Sequence, residues 1–444
     1  MAEILDGELP SQPTVAANDT AASVAPGGRF NAYATIVFAL VYMLANADRN
    51  ILAVLLDPIK HSVHASDSAM GALGGLAFTI AGAVAAIPFA RLADKGNRRN
   101  IIALSVGFWS VMTAVTGVAA SYLQLVIARA GLAIGEAAQG PAIASMLGDT
   151  YPRRSRGMAS GWITVGTAFG IGLGGAIAGY MSDRYGWRSA FFVLGAPGLL
   201  VAALVFFTLR EPLRGAADGA IGAPTQLPLW VGVRRLFAIR SIRRLMAANL
   251  FIGIAFGSWL QWLTPFFMRV HHMTATEAGA GYGLGIGIGA ISASLIGGFV
   301  SDRLARRGER WRSYYCAACC AIGVPAVLFT LLTPNAGLSV AGLGVYGLVA
   351  GGVTSVSMAA GLGLIPHSLR GLATAAMGLV LSVLGGLGPV LVGALNDALN
   401  HSYGQFAVRY TLLSVVPAAM TLSAICFYLT ARSTDADAAA ALAP

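Results

Sequence analysis

Residues 127–149 read IARAGLAIGEAAQGPAIASMLGD, apolar enough to lie in hydrocarbon yet carrying Arg129 and Glu136. On a helix a seven-residue spacing returns to within about 20° of the same face, and the two groups differ in depth by roughly 10 Å. A second apolar run, near residues 31–56, holds Asp48 and Arg49. An ionisable group in a bilayer interior costs about 2.5–3.5 kcal/mol on insertion scales, so such groups turn toward protein or a watery cavity and mark a path. Asp48 and Glu136 are the only acids deep in any apolar run, and the histidines (His61, His64, His271, His272, His367 and His401) fall in connections or at run ends. If protons are handled, these two carboxylates must carry them. The expected arrangement makes Glu136 the principal proton acceptor. Asp48 and Arg129, at similar depth, pair across helices and exchange partners as Glu136 titrates, which leaves Arg49 free to hold an anionic group. A structural ion-pair cluster joining the two runs is the competing reading.

Bond-making chemistry finds little to work with. The runs contain neither metal-spaced histidines nor a nucleophile beside a base. Cys316, Cys319, Cys320 and Cys426 have no histidine at ligand spacing and read as packing, with no disulfide implied. Lys60 and Lys95 are the only lysines, preceded by Ile59 and Asp94, so no Walker Gly-Lys-[Ser/Thr] exists and ATP-driven pumping by this chain is excluded. The glycines between 281 and 289 recur at every second residue without dinucleotide-binding spacing. No enzyme, cofactor or metal is expected.

The elements that must position the charged residues follow from composition. The 444-residue chain is 56% hydrophobic and 11% charged, against about 25% charged in soluble domains. Its net charge of +10 is spread between apolar runs rather than along one surface, which fits membrane orientation and not nucleic acid. Twelve apolar runs reach the length of about 20 residues that a hydrocarbon core demands. An all-α membrane protein with both ends on one side is the expectation. Twenty-two lysines and arginines gather on the side of the termini against five on the other, which makes the first side cytoplasmic. Residues 1–29 carry acids before the first run and read as a disordered cytoplasmic tail rather than a cleaved leader. Residues 30–209 and 245–432 form two six-helix bundles, and 433–444 a C-terminal tail. The linker 210–244 ends in LWVGVRRLFAIRSIRRL, which suits either a surface-lying amphipathic helix or a solvated basic segment.

The halves repeat each other. Pro152, Arg156, Gly157, Gly179 and Asp183 match Pro366, Arg370, Gly371, Gly393 and Asp397 at a constant offset, and Ala93-Asp94-Lys95 parallels Ser301-Asp302-Arg303. Repeated halves with a site between them are a common transporter design. At these residues the chain resembles the major facilitator superfamily over residues 30–432. The loop between spans 2 and 3, from Ala90 through Asp94, Lys95, Arg98 and Arg99, is similar to that family's G-x-x-x-D-[RK]-x-G-[RK]-[RK] signature, with alanine at the opening glycine. The expected conformational latch comprises Asp94, Arg98, Arg99, Asp149 and Asp302, with Asp94 set against the start of span 11 and Asp302 against that of span 5. Gly157, Gly166, Gly170, Gly174 and Gly175 resemble the family's antiporter pattern in span 5, with Ile171 in place of proline, and point toward export.

Asn46-Ala47-Asp48-Arg49 together with Arg129 through Ala137, then Pro141, Gly148-Asp149 and Tyr151-Pro152, resemble the Spinster branch. The resemblance implies that Asp48, Arg49, Arg129 and Glu136 line a central cavity. The second half offers no mid-membrane charge, only Trp259, Gln261, Trp262, Ser355 and Ser357. A charged lobe facing an apolar one suits an amphiphile such as a lysolipid or sphingolipid-like molecule. Arg49, Arg129, Glu136, Trp259, Gln261 and Trp262 are the expected substrate contacts. The function expected is proton-coupled alternating-access transport by a monomer in a bacterial inner membrane. The alternatives are symport of small organic acids, a passive channel, or a membrane-embedded enzyme.

Overall fold

The computed structural model of the chain describes residues 28–151, 153–212, 229–363, 365 and 369–442. The first half holds α1 (Gly28–Val54), α2 (Leu56–Ser62) and α3 (Asp67–Ala72), which continues through a π-helical turn (Leu73–Ala77) into α4 (Phe78–Lys95). It then runs through α5 (Arg98–Val118), α6 (Tyr122–Thr150), α7 (Arg153–Tyr185) and α8 (Trp187–Thr208). After the connecting helix α9 (Leu229–Ala238) come α10 (Arg240–His271), α11 (Ala275–Ala305), α12 (Arg310–Leu332) and α13 (Ala336–Gly363). Next is α14 (Arg370–Leu379), a second π-helical turn (Val380–Leu384), α15 (Leu387–Tyr403) and finally α16 (Ala407–Leu442). With α3–α4 and α14–α15 each counted as one rod, twelve long rods are present among the described residues, six in each half.

Helices are what a bilayer permits, because every main-chain polar group finds its partner within the segment. Nine stretches among the described residues are long and apolar enough to cross, one of which (Leu372–Asp435) contains two rods; α6, with its two deep charges, and α11 complete the twelve. Outward-facing side chains agree with a lipid surround: Leu104, Leu200 and Phe207 are 72%, 74% and 79% exposed, a cost in water that hydrocarbon removes. Rod starts are set by side-chain caps. Ser66, Asn97 and Ser121 accept main-chain N–H groups at α3, α5 and α6, and Thr274 with Glu277 forms a reciprocal capping box at α11. The four cysteines are free, and Cys316 and Cys320 are buried in packing.

The expected disordered tail lies outside the described residues, apart from the last two of its 29 positions, which belong to α1. At the other terminus the helix runs to Leu442, where the sequence reading placed a tail from residue 433. The extension has work to do: Asp435 pairs with Arg310 at 3.0 Å, and Asp437 accepts the Ser241 N–H at 2.6 Å, capping the first turn of α10 from outside it.

Among the described residues, the two halves meet toward one end, the arginine-poor one. There α7 packs on α11, and α3 with its π turn packs on α15, through glycines that admit bare main chain. A Cβ on Gly71 would lie 2.3 Å from the Pro389 carbonyl oxygen, one on Gly75 2.3 Å from that of Gly386, and one on Gly179 2.2 Å from that of Ala275. At the arginine-rich end no described residue of another helix lies within 4 Å of where a Cβ would stand on Gly157 and Gly161 of α7 or Gly378 of α14. The buried apolar clusters divide the same way. One joins Ile51–Ile59, Met70 and Leu73 to the second half, whereas the other, including Val37, Val106, Met146 and Leu209, stays within the first.

Candidate functional site

Neighbours on a helix point about 100° apart, so Asp48 and Arg49 leave α1 in different directions, and this separates their partners. Asp48, 2% exposed, accepts the Thr113 hydroxyl of α5 at 3.1 Å. Arg49 turns the other way, and its Nε donates to Glu136 of α6. The Arg49 side chain is 48% exposed while that of Glu136 is 1% exposed, so the pair sits at a boundary between open space and packed protein. Arg129 is buried and donates Nη1 to the main-chain carbonyl of Asp48 at 3.1 Å. The Phe78 ring, first residue after the π turn, lies 5.5 Å from the Arg49 guanidinium and 5.1 Å from that of Arg129.

The pairing therefore differs from the sequence expectation. Asp48 meets Arg129 through its carbonyl rather than its carboxylate, and Arg49 is not free but holds Glu136. Depth along each helix was readable; azimuth between helices was not. Asp48 Oδ1, Arg129 Nε, Glu136 Oε1 and Gln139 Oε1 are buried and have no hydrogen-bond partner among the described residues. Unmet capacity of this kind in a dry helix bundle is costly, and it leaves room for a proton, a water or a ligand group.

The second-half candidates separate. Trp259 and Trp262 are fully buried; the Trp259 ring packs at a tilt on Tyr346, centroids 4.9 Å apart, and Trp262 Nε1 donates to the Pro389 carbonyl at 2.9 Å. Neither offers surface to a ligand in this conformation, a correction to their expected role as contacts. Gln261 does face the other half, against Gly74 in the π turn, with its Nε2 unpartnered among the described residues. Ser357 is buried and paired with Asn249 at 2.9 Å, whereas Ser355 is exposed. An apolar recess of about 360 Å³ lies between α7 and α11, lined by Phe169, Leu173 and Leu284 among others.

The expected latch residues also separate. The side chains of Asp94 and Asp302 lie outside the described residues. Arg98 is fully buried and binds Asp149, Glu211 Oε1 at 2.6 Å, Ser145 at 2.9 Å and the Pro212 carbonyl at 2.8 Å, while the Arg99 N–H meets Glu211 Oε2 at 3.0 Å. Among the described residues these contacts of Arg98, Arg99 and Asp149 staple α5, α6 and the segment that follows α8 within the first half, and none of them reaches the second half. Glu211 was missed, and its only signal was an acid, one of two with Asp218, in a connection that carries seven arginines.

The contacts that do join the halves lie at the arginine-poor end. Arg269 of α10 grips Asp57 of α2 (2.5–3.1 Å) and Asp67 of α3 (2.6 and 2.9 Å), and Lys60 adds a bond to Asp67 at 2.5 Å. Two further carboxylates act as caps supplied by the opposite half. Asp397 of α15 accepts the N–H groups of Asp67 and Ser68 at 2.9 and 2.8 Å, and Asp183 of α7 accepts the N–H and hydroxyl of Thr276 at 2.8 and 2.6 Å. Asp183 and Asp397 are equivalent positions of the internal repeat, and each seals the first turn of a helix in the other half. Nearer the charged cluster, Tyr282 of α11 donates to Asn50 of α1 at 2.6 Å. No grouping of three metal-ligating side chains occurs among the described residues.

The sequence profile of the Major Facilitator Superfamily matches residues 38–389. An "MFS-type efflux pump" of Mycolicibacterium smegmatis is 32% identical over 395 residues, covering 88% of this chain and 91% of that one. The "Sphingosine-1-phosphate transporter SPNS2" of Danio rerio is 25% identical over 409 residues, covering 86% and 81%. Among solved structures, the crystal structure of a bacterial homolog to the human lysosomal transporter Spinster, in an inward-facing and unoccupied conformation, aligns with a TM-score of 0.80 and 26% identity over 93% of this chain and 99% of that one.

Proposed function

Since the chain belongs to the Major Facilitator Superfamily, with Spinster proteins among its relatives, we propose that it is a proton-coupled secondary transporter of an anionic amphiphile working by alternating access. The observation that carries this is the half-exposed Arg49 held by the buried Glu136. With both carboxylates ionised, Asp48, Arg49, Arg129 and Glu136 sum to zero charge. A proton on Glu136 removes the partner of Arg49 and leaves one unit of positive charge facing open space, which an anionic head group neutralises. Proton and anion therefore favour each other's binding at this site. Net direction follows the sum of the substrate and proton gradients, so export results where the molecule is made inside and its outward gradient exceeds the inward gradient of the protons it moves with; the glycine pattern of α7 and the efflux relative suggest that direction.

The rest of the molecule fits the reading. The apolar recess between α7 and α11 and a second half without charge at mid-membrane would accept a hydrocarbon body. By the positive-inside rule the arginine-rich end and both termini are cytoplasmic, so the conformation described is closed outward and open to the cytoplasm, in what we take to be a bacterial inner membrane. The arginine-poor contacts must break for the outward-open state, when Asp94 and Asp302 would come to the starts of α14 and α7.

Proteoliposomes test the reading. A lysolipid-like anion moving through the wild type should carry protons with it. Glu136→Gln, which mimics the protonated acid, should keep substrate counterflow and lose proton movement. Proton movement undiminished in Glu136→Gln would sink the assignment, and competition by hydrophilic organic acids but not by long-chain anions would move the substrate to that class.

A further inference from the structure

Helix α9 has two different sides. Gly232 and Leu236 are buried against the start of α14, where a Cβ on Gly232 would lie 2.7 Å from Leu372 and 3.5 Å from Leu369. Outward, Trp230 and Phe237 are 75% and 44% exposed, and with Val233, Arg234 and Ala238 they frame an open recess of about 520 Å³. Arg234, Arg235 and Arg240 are exposed beside it, without an ion-pair partner among the described residues, and residues 229–245 contain no acid. Only Ile239 separates α9 from α10, whose N-terminal end stands at the arginine-rich edge of the bilayer. The helix therefore cannot leave the membrane surface. A tryptophan and a phenylalanine exposed there, flanked by arginines, match an acyl boundary with anionic head groups above it.

We propose that α9 is a seat for an anionic phospholipid of the adjoining leaflet, and that the seated lipid steadies α14 in the position it holds in this conformation. The coupling is mechanical. The inner face of α9 rests on the very segment of α14 that must approach the first half when the arginine-rich end closes, so a lipid that pins α9 to the bilayer opposes that approach. The proposal rests on the fold and on α9 alone, and it stands whether or not the transported molecule is the one proposed above.

The probe is phosphatidylglycerol against phosphatidylcholine, with the full chain. Native mass spectrometry should show wild type retaining phosphatidylglycerol in preference. Near a charged surface each arginine is worth about fivefold, so Arg234→Gln/Arg235→Gln/Arg240→Gln should lower that preference by at least about tenfold. Spin-label distances across the arginine-rich end should lengthen in phosphatidylglycerol liposomes for wild type and not for the triple variant. Gly232→Val, which pushes α9 off Leu372, should keep the lipid and lose the distance response. Arg49→Gln should keep the lipid preference, because the lipid sits outside the central cluster. Equal lipid retention by the triple variant, or loss of the preference in Arg49→Gln, overturns the seat. Distances that ignore phosphatidylglycerol in wild type overturn the coupling.

Discussion

Replacing Asp183 and Asp397 together by asparagine should loosen the closed end of the transporter by a calculable amount. Each carboxylate receives hydrogen bonds of 2.6–2.9 Å at the first turn of a helix from the opposite half. Asparagine preserves the shape and one accepting oxygen but removes the charge facing the positive helix end. Both side chains are exposed, so the lower range of such interactions applies, about 0.3–1 kcal/mol each. At 1.4 kcal/mol per factor of ten, either single variant moves the closed-to-open ratio by about twofold to fivefold. The two caps lie on different helix pairs and share no partner, so their free energies should add, giving about threefold to thirtyfold for the double variant. Pulsed spin-label distances between His61 and His401, exposed on opposite halves at this end, would report the gain of a longer population. A distance distribution identical to wild type in the double variant refutes the cap argument. A shift toward shorter distances would reverse it.

The same end contains a stronger interaction. Arg269→Gln leaves Asp57 and Asp67, which are 9% and 3% exposed, without their common partner, and removing one member of a buried pair costs about 3–5 kcal/mol. Outward opening by more than a hundredfold is expected in the same distance measurement. Gly75→Val should act at the π turn by setting a methyl-bearing carbon against the Gly386 carbonyl, so labelling of an engineered cysteine at the arginine-poor end should rise sharply. Arg98→Ala deletes the fully buried centre of the Asp149–Glu211 staple. It should lower the melting temperature of the purified protein with little change in the distance across the arginine-poor end, because the staple lies within one half.

The sequence disclosed the rods well, since hydrocarbon thickness fixes their length and the repeat fixes their number. It also disclosed which ionisable residues lie deep, because any charge amid apolar residues is conspicuous. What it left out is angular. The depth of Asp48 and Arg129 suggested an ion pair between them, yet Arg129 meets Asp48 only at its carbonyl and Arg49, one residue on, turns to Glu136. No linear pattern distinguishes those outcomes, because they depend on how α1 rolls against α6. Trp259 and Trp262 were conspicuous as aromatic residues near mid-membrane, but aromatic bulk serves packing equally well, and here it does. The caps at Asp183 and Asp397 were visible as repeated positions without a role, because their partners are main-chain groups that carry no sequence signature. The continuation of α16 to Leu442 was hidden in an alanine-rich, acid-bearing end that resembles a tail by composition alone.

The π-helical turn at Leu73–Ala77 has a consequence for everything on either side of it. Such a turn holds one more residue than a regular helical repeat, and a single residue step rotates the following face by about 100°. The rod made by α3 and α4 is therefore two helices in different phase. Before the turn its face is set for Asp397 and Pro389; after it, Phe78 is set for the guanidinium groups of Arg49 and Arg129. A regular helix of the same length would satisfy one of these settings and miss the other. The extra residue is thus a timing element, aligning the outer seal and the charged cluster so that both engage in one and the same orientation of the rod.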